Sequence, residues 1–170
     1  MITTLTIIAI AVLVTYLAIA ISLFGIPSSI SNTYYLYESK HKGLGYVFTL
    51  FMWCEAVLLT IIMLTIGEHS PLQFLGFLSP AGLAFCGCAV LSKGVTLESK
   101  VHIAGALIGA VCGLIWCIVF GGLIRTFGVF LTLNTICLLV AYMTDSYDDS
   151  LIFWVEVISF GTMAIMLLLI

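Results

Sequence analysis

The sequence predicts an all-α protein, a polytopic transmembrane helical bundle of about six spanning helices joined by short loops. Three observations carry this. Of the 170 residues, 63% are hydrophobic and only 8% are charged, against roughly a quarter charged in an average soluble domain. A chain this short has too little interior to hide so much apolar surface from water, and its mean hydropathy is +1.31. The apolar residues fall in runs of about twenty, the length that roughly 30 Å of hydrocarbon requires at 1.5 Å per residue. Those runs lack the alternation of a barrel strand, and in hydrocarbon every backbone polar group needs an internal partner, which leaves helices.

The whole chain, 1–170, reads as a single transmembrane domain. Span one covers about residues 5–24, apolar apart from Thr, Ser and Tyr. No basic segment precedes it and its apolar run exceeds that of a usual leader peptide, so a retained helix is expected. Pro27, which has no amide donor, ends it, and the stretch from Ile26 to Tyr35 reads as the first loop. Span two covers about 45–66 and contains Glu55; a turn at Glu68-His69-Ser70-Pro71 leads into span three, about 72–91, with a kink expected at Ser79-Pro80. A second long loop runs from Ser92 to Lys100. Span four covers about 101–121 and opens with His102; a tight turn at Gly121-Gly122, near Arg125, separates it from span five, about 123–143. A deeply placed Arg125 would change the count at this division. An acidic loop with Asp145, Asp148 and Asp149 precedes span six, about 151–170, which carries Trp154 and Glu156.

Net charge is −3 with five basic residues in all. No basic cluster exists, so neither nucleic acid nor a polybasic site for anionic lipid is expected. The three longer loops share one face and hold Lys40, Lys42, Lys93 and Lys100, while the other face holds Arg125. Counting basic residues alone, that face would be cytoplasmic. All six cysteines lie in apolar runs, where a free thiol behaves as a small hydrophobe. A disulfide framework is not expected, and Cys86-x-Cys88 has no second pair to complete a zinc site.

Polar residues inside apolar runs are the candidates for chemistry. Glu55 lies near mid-membrane, where an ionisable group costs several kcal/mol unless paired, neutral or hydrated. It marks a functional site or serves packing through a hydrogen bond to a neighbouring helix. Glu156 lies about one and a half turns into span six, within reach of the headgroups or of His102. His102 suits proton donation, metal ligation or, more mundanely, a helix cap. Glu55, His102 and Glu156 could share one polar pocket. The spacing of Gly105, Gly109 and Gly113 puts small residues on one helix face, which suits close packing within the chain or between two copies. Tyr34, Tyr35, Tyr37, Tyr147 and Trp154 suit an interfacial aromatic belt. One histidine and scattered acids are too few for a metal site, so neither metal nor other cofactor is expected. The chain has no GxSxG, HExxH or phosphate loop, which leaves no catalytic residues to name and makes an enzyme the lesser expectation.

Pro27, Ile30, Ser31, Asn32 and Thr33 resemble the Pro…Ile-Ser-Asp-Thr signature in the first loop of the six-span family of autophagy modulators and GPI-anchor remodelling factors, the DRAM/Frag/Sfk group. Val101-His102-Ile103-Ala104-Gly105-Ala106 is similar to the His-Gly-Ala start of a later span in that family, and Phe153-Trp154-Val155-Glu156 to its last span. The span count and order agree across nearly the whole chain. Asn32 stands where the family has aspartate, which removes a charge, and the double proline after the signature is missing. The family places its first loop on the outer or lumenal side, opposite to the lysine count. The resemblance implies a role in membrane lipid organisation, trafficking or stress response, with Ser31, Asn32 and His102 as a lipid-headgroup site. The leading expectation is therefore a multi-pass protein integral to a cellular membrane that interacts with membrane lipids, with Glu55 and Glu156 supporting the pocket. The rival expectations are a proton- or ion-conducting protein using Glu55, a membrane enzyme using His102 with carboxylates, and a non-catalytic assembly partner or homo-oligomer joined through small-residue helix faces.

Overall fold

The structure, a computed structural model, describes residues 1–89, 96–146 and 148–170. Among these, seven α-helices account for the architecture: α1 (Ile2–Phe24), α2 (Thr33–Lys40), α3 (Tyr46–Ile66), α4 (Phe74–Cys88), α5 (Thr96–Gly121), α6 (Leu123–Met143) and α7 (Leu151–Leu169). Five of them, α1, α3, α5, α6 and α7, are long and apolar enough to cross a membrane; α4 is apolar but has only 15 residues. The chain is therefore a multi-pass helical membrane protein. Its surface agrees: Leu50, Leu107, Phe127 and Leu139 are each more than half exposed, as suits side chains whose solvent is hydrocarbon.

The helices α1, α3, α4, α5 and α7 pack in that order around a ring, which the contact of α7 with α1 closes, and α6 lies outside against α5 and α7. The tightest crossing is between α4 and α5. A methyl group built on Gly82 would stand 2.5 Å from both the Gly105 carbonyl oxygen and the Gly109 amide nitrogen, so the two backbones touch. The buried Ser79 hydroxyl crosses the same seam and donates to the Gly109 carbonyl at 2.8 Å. Gly113, the third of the spaced glycines, faces Met163 of α7. The small-residue face of α5 is thus occupied within the chain.

At the other end of α5, Gly122 turns the chain with φ 90°, a conformation open to glycine. Arg125 then lies exposed in the first turn of α6, where it donates to the Leu169 carbonyl at 3.1 Å. A cation on the last carbonyls of a helix is favourable, and α5 and α6 are separate helices.

Several boundaries differ from the sequence reading. Part of the first loop is helix α2, held against the bundle by aromatic packing. Tyr16 stacks on Phe51 with ring centroids 4.0 Å apart, Tyr37 meets Phe24 edge-on at 5.0 Å, and the Tyr16 hydroxyl hydrogen-bonds Thr33. Tyr34 and Tyr37 are accordingly buried core residues and not members of an exposed belt. Their polarity and position near a loop suggested the belt, but the groove between α1 and α3 gives their rings a better place. Among the described residues α5 is already helical at Thr96, ahead of Val101, because Thr-Leu-Glu-Ser-Lys is a permissible helical turn, with Glu98 in its first turn. α4 starts after a turn that includes Leu72 and Gln73, and keeps Pro80 inside it. Leu91, Ser92, Lys93 and Tyr147 lie outside the described residues.

Candidate functional site

Alternating helix direction brings the end of α1 and the starts of α3, α5 and α7 to one end of the bundle. There the segment between α1 and α2 is stitched onto α7. The Phe153 amide, one of the donors that a helix N-terminus leaves unpaired, bonds the Ser28 carbonyl at 3.1 Å. The Ser150 hydroxyl reaches the Ile26 carbonyl at 3.4 Å, and the Ile30 amide donates to Oε2 of Glu156. Beneath this cover lies a cavity of about 360 Å³ walled by α3, α4, α5 and α7, within the size range of small-molecule pockets, roughly 300–1,000 Å³.

Its walls are apolar, with Phe48, Met52 and Leu83 at one side and Ile103, Leu107 and Val155 at the other. Its polar lining comes from Ser29, Ser31, Cys86, His102, Glu156 and Ser159. Of the candidates named from sequence, Ser31, His102 and Glu156 line this one cavity. Asn32 does not; it stands at the N-cap of α2. Glu55, 3% exposed, lies against a separate cavity of about 20 Å³ between α1, α3 and α7, and its Oε1 has no hydrogen-bond partner among the described residues. Phe160 and Met163 line both cavities and form the partition between them.

His102 lies in the second turn of α5, opposite the end of α4. Its Nδ1 is 3.1 Å from the Cys86 carbonyl oxygen, and Cys86 Sγ is 3.5 Å from both ring nitrogens. A carbonyl only accepts, so the ring nitrogen that meets it carries the hydrogen, and the Ala89 carbonyl is a second backbone acceptor at the ring. The imidazole therefore satisfies one of the carbonyls that the end of α4 leaves without an intrahelical donor, a need that hydrocarbon makes acute. It serves as a cap and as a cavity wall at once. Glu156 has a similar double place. A carboxylate offers about four acceptor positions, and the Ile30 amide takes one of them. Among the described residues no ion pair joins Glu156 to His102, and no cluster of three His, Cys, Asp or Glu side chains is close enough to hold a metal.

Cys86, Ser29 and Ser159 are the polar cavity residues that sequence reasoning did not select. Cys86 reads as a small hydrophobe in an apolar run, and only its position across from His102 distinguishes it. All six cysteines are free thiols. No family model matches the chain, and neither does any curated protein or solved structure.

Proposed function

We propose that this protein interacts with membrane lipids by receiving part of a lipid molecule in the cavity between α4, α5 and α7. The observation that carries the reading is the composition of that cavity: apolar walls for about 360 Å³, with Ser29, Ser31, His102 and Glu156 in its lining. Such a space suits the apolar part of an amphiphile and offers polar contacts to its head. The DRAM/Frag/Sfk resemblance supports the same role through Ser31 and His102, with Asn32 contributing to the adjoining turn and not to the lining. We read α4 as a sixth, short crossing. Its 15 residues would reach about 22 Å at 1.5 Å per residue, and local thinning of the bilayer accommodates such a length.

The test is mass spectrometry of lipids that stay bound to the gently purified protein. Ala110 lines the cavity, so Ala110→Phe fills the space while leaving every polar group in place, and His102→Ala removes the imidazole. A lipid enriched over the bulk membrane and lost from both variants is the expected result. Bulk lipid alone, unchanged in Ala110→Phe, overturns the reading.

Glu55 supports a second reading. A buried carboxyl oxygen without a partner, beside a cavity of about 20 Å³, has room for one water molecule, and intramembrane acids mark proton or ion paths. Proton flux in liposomes that is abolished by Glu55→Gln supports it; flux that survives the substitution removes Glu55 from the path.

A further inference from the structure

We infer that the cavity selects a single-chain amphiphile whose head donates hydrogen bonds, a hydroxyl or an amine, over one with a carboxylate or phosphate head, and that the chain enters sideways from the bilayer between α5 and α7. The inference rests on the lipid-cavity reading and narrows it to a ligand class.

Entry follows from exposure. Ile103 and Leu107 of α5 and Ile152 and Val155 of α7 line the cavity, yet each is more than half exposed. The same side chains therefore belong to the cavity wall and to the lipid-facing surface. The two helices meet closely only further along, where Gly113 faces Met163 and Gly121 faces Met166. The cleft is open towards the loop end and shut below it. Small side chains at Ala106 and Ala110 keep it wide.

Capacity limits the guest. A volume of about 360 Å³ lies near the lower end of the range for small-molecule pockets, roughly 300–1,000 Å³, which suits one chain with its head and not a two-chain lipid. The head class follows from the polar groups that line the space. Glu156 has acceptor positions left after the Ile30 amide is satisfied. The serine hydroxyls can accept as well. Among the described residues no lysine or arginine lines the cavity, and those are the groups that bind phosphate and carboxylate heads through charge-assisted bonds. A donating head gains acceptors, while an anionic head meets another carboxyl group and, among the described residues, no cation.

The experiment uses the full chain in phosphatidylcholine nanodiscs and four photoactivatable probes that share one diazirine-bearing acyl or alkyl chain. Their heads are an amino alcohol, a glycerol monoester, a free carboxylate and a phosphate monoester. Labelled peptides are mapped by mass spectrometry, beside Ala110→Phe and Glu156→Gln, whose amide oxygen still accepts from Ile30. The expected result is labelling on α5 and α7 by the amino alcohol and glycerol probes at least about tenfold above the two anions, the effect of losing one charge-assisted bond. Ala110→Phe abolishes it. Glu156→Gln lowers the amine signal more than the glycerol signal, because the ammonium loses a charge-assisted bond; an amine signal unchanged in this variant overturns the head class. Equal labelling by all four heads that Ala110→Phe abolishes overturns the head class and leaves the cavity reading standing. Preference for either anion also overturns the head class. Absence of labelling by every probe overturns both.

Discussion

Replacing Gly82 by alanine tests the contact on which the cavity depends. The added methyl would stand 2.5 Å from the Gly105 oxygen and from the Gly109 nitrogen. Ordinary contact lies at about 3.5–4 Å. Both obstructing atoms are main chain, so no rotamer change relieves them, and α4 and α5 must part by about 1 Å. Overpacking of this kind costs about 1–3 kcal/mol. Parting the helices also stretches the Ser79–Gly109 hydrogen bond from 2.8 Å, a kind of bond worth about 0.6 kcal/mol between membrane helices. Against these stands the gain of alanine over glycine within a helix, about 0.5–1 kcal/mol. The net expectation is destabilisation by about 1–3 kcal/mol. Gly128 on α6 is the control, because a methyl there meets nothing within 4 Å, so Gly128→Ala should stabilise by about 0.5–1 kcal/mol. Reversible unfolding in mixed micelles of dodecyl maltoside and SDS, followed by helical circular dichroism, measures both. Gly82→Ala unfolding at the same SDS fraction as Gly128→Ala would refute the close crossing. With it would go the account of how the Cys86 carbonyl is held against His102.

Glu55→Leu replaces a buried oxygen without a partner by an apolar group of similar size. It should raise stability in the same unfolding assay by about 1–3 kcal/mol, the cost of burying an unpaired polar group; a loss would mean that the carboxyl has a binding partner in the membrane. Glu156→Ala leaves the Ile30 amide without its acceptor, at a cost of about 1–3 kcal/mol. Hydrogen exchange at Ile30 should accelerate in this variant and stay slow in Glu156→Gln, and equal protection in the two would show that the carboxyl does not hold the loop. Burial, together with acidic neighbours at Tyr34, raises the Tyr34 and Tyr37 hydroxyls above their ordinary value, which is about 10. The folded chain then holds these phenol protons more tightly than the unfolded one. Their stabilising contribution is complete below about pH 10 and is lost as pH rises past it. Phenolate absorbance should show Tyr34 and Tyr37 titrating late, assigned by their Phe variants, together with the release of α2; both titrating at the ordinary value would contradict their burial.

Much of the fold was legible because hydrocarbon imposes a length. The runs that end at Phe24, Ile66, Gly121 and Met143 finish where the sequence turns polar or glycine-rich, and the helices finish there too. The starts were harder to place. Thr96 to Lys100 is polar enough to read as loop, yet nothing in it opposes a helix, and a helix that projects past the membrane keeps its first turn in water. α2 was invisible for the opposite reason. Its segment has no membrane-length apolar run, and its helix depends on tyrosine rings finding a groove made by α1 and α3, which is a tertiary event. The glycines of α5 announced a close contact, but not that α4 would fill it.

The site divides along the same line. His102, Glu156 and Ser31 stood out as polar residues at the ends of apolar runs, and alternating helix direction alone brings such ends to one face. That argument fixes depth but not rotation about the helix axis. Met52 lines the main cavity, whereas Glu55, three residues on and about 4.5 Å deeper, faces α1 and a different space. The partition between them comes from Phe160 and Met163, a hundred residues away in the chain, and no local pattern encodes it. The cavity itself leaves little trace in a sequence, because it is made by what is small: Ala106 and Ala110 on α5, with Gly113 drawing α5 and α7 together below them. Polar residues placed the mouth of the site, and only packing could supply its volume.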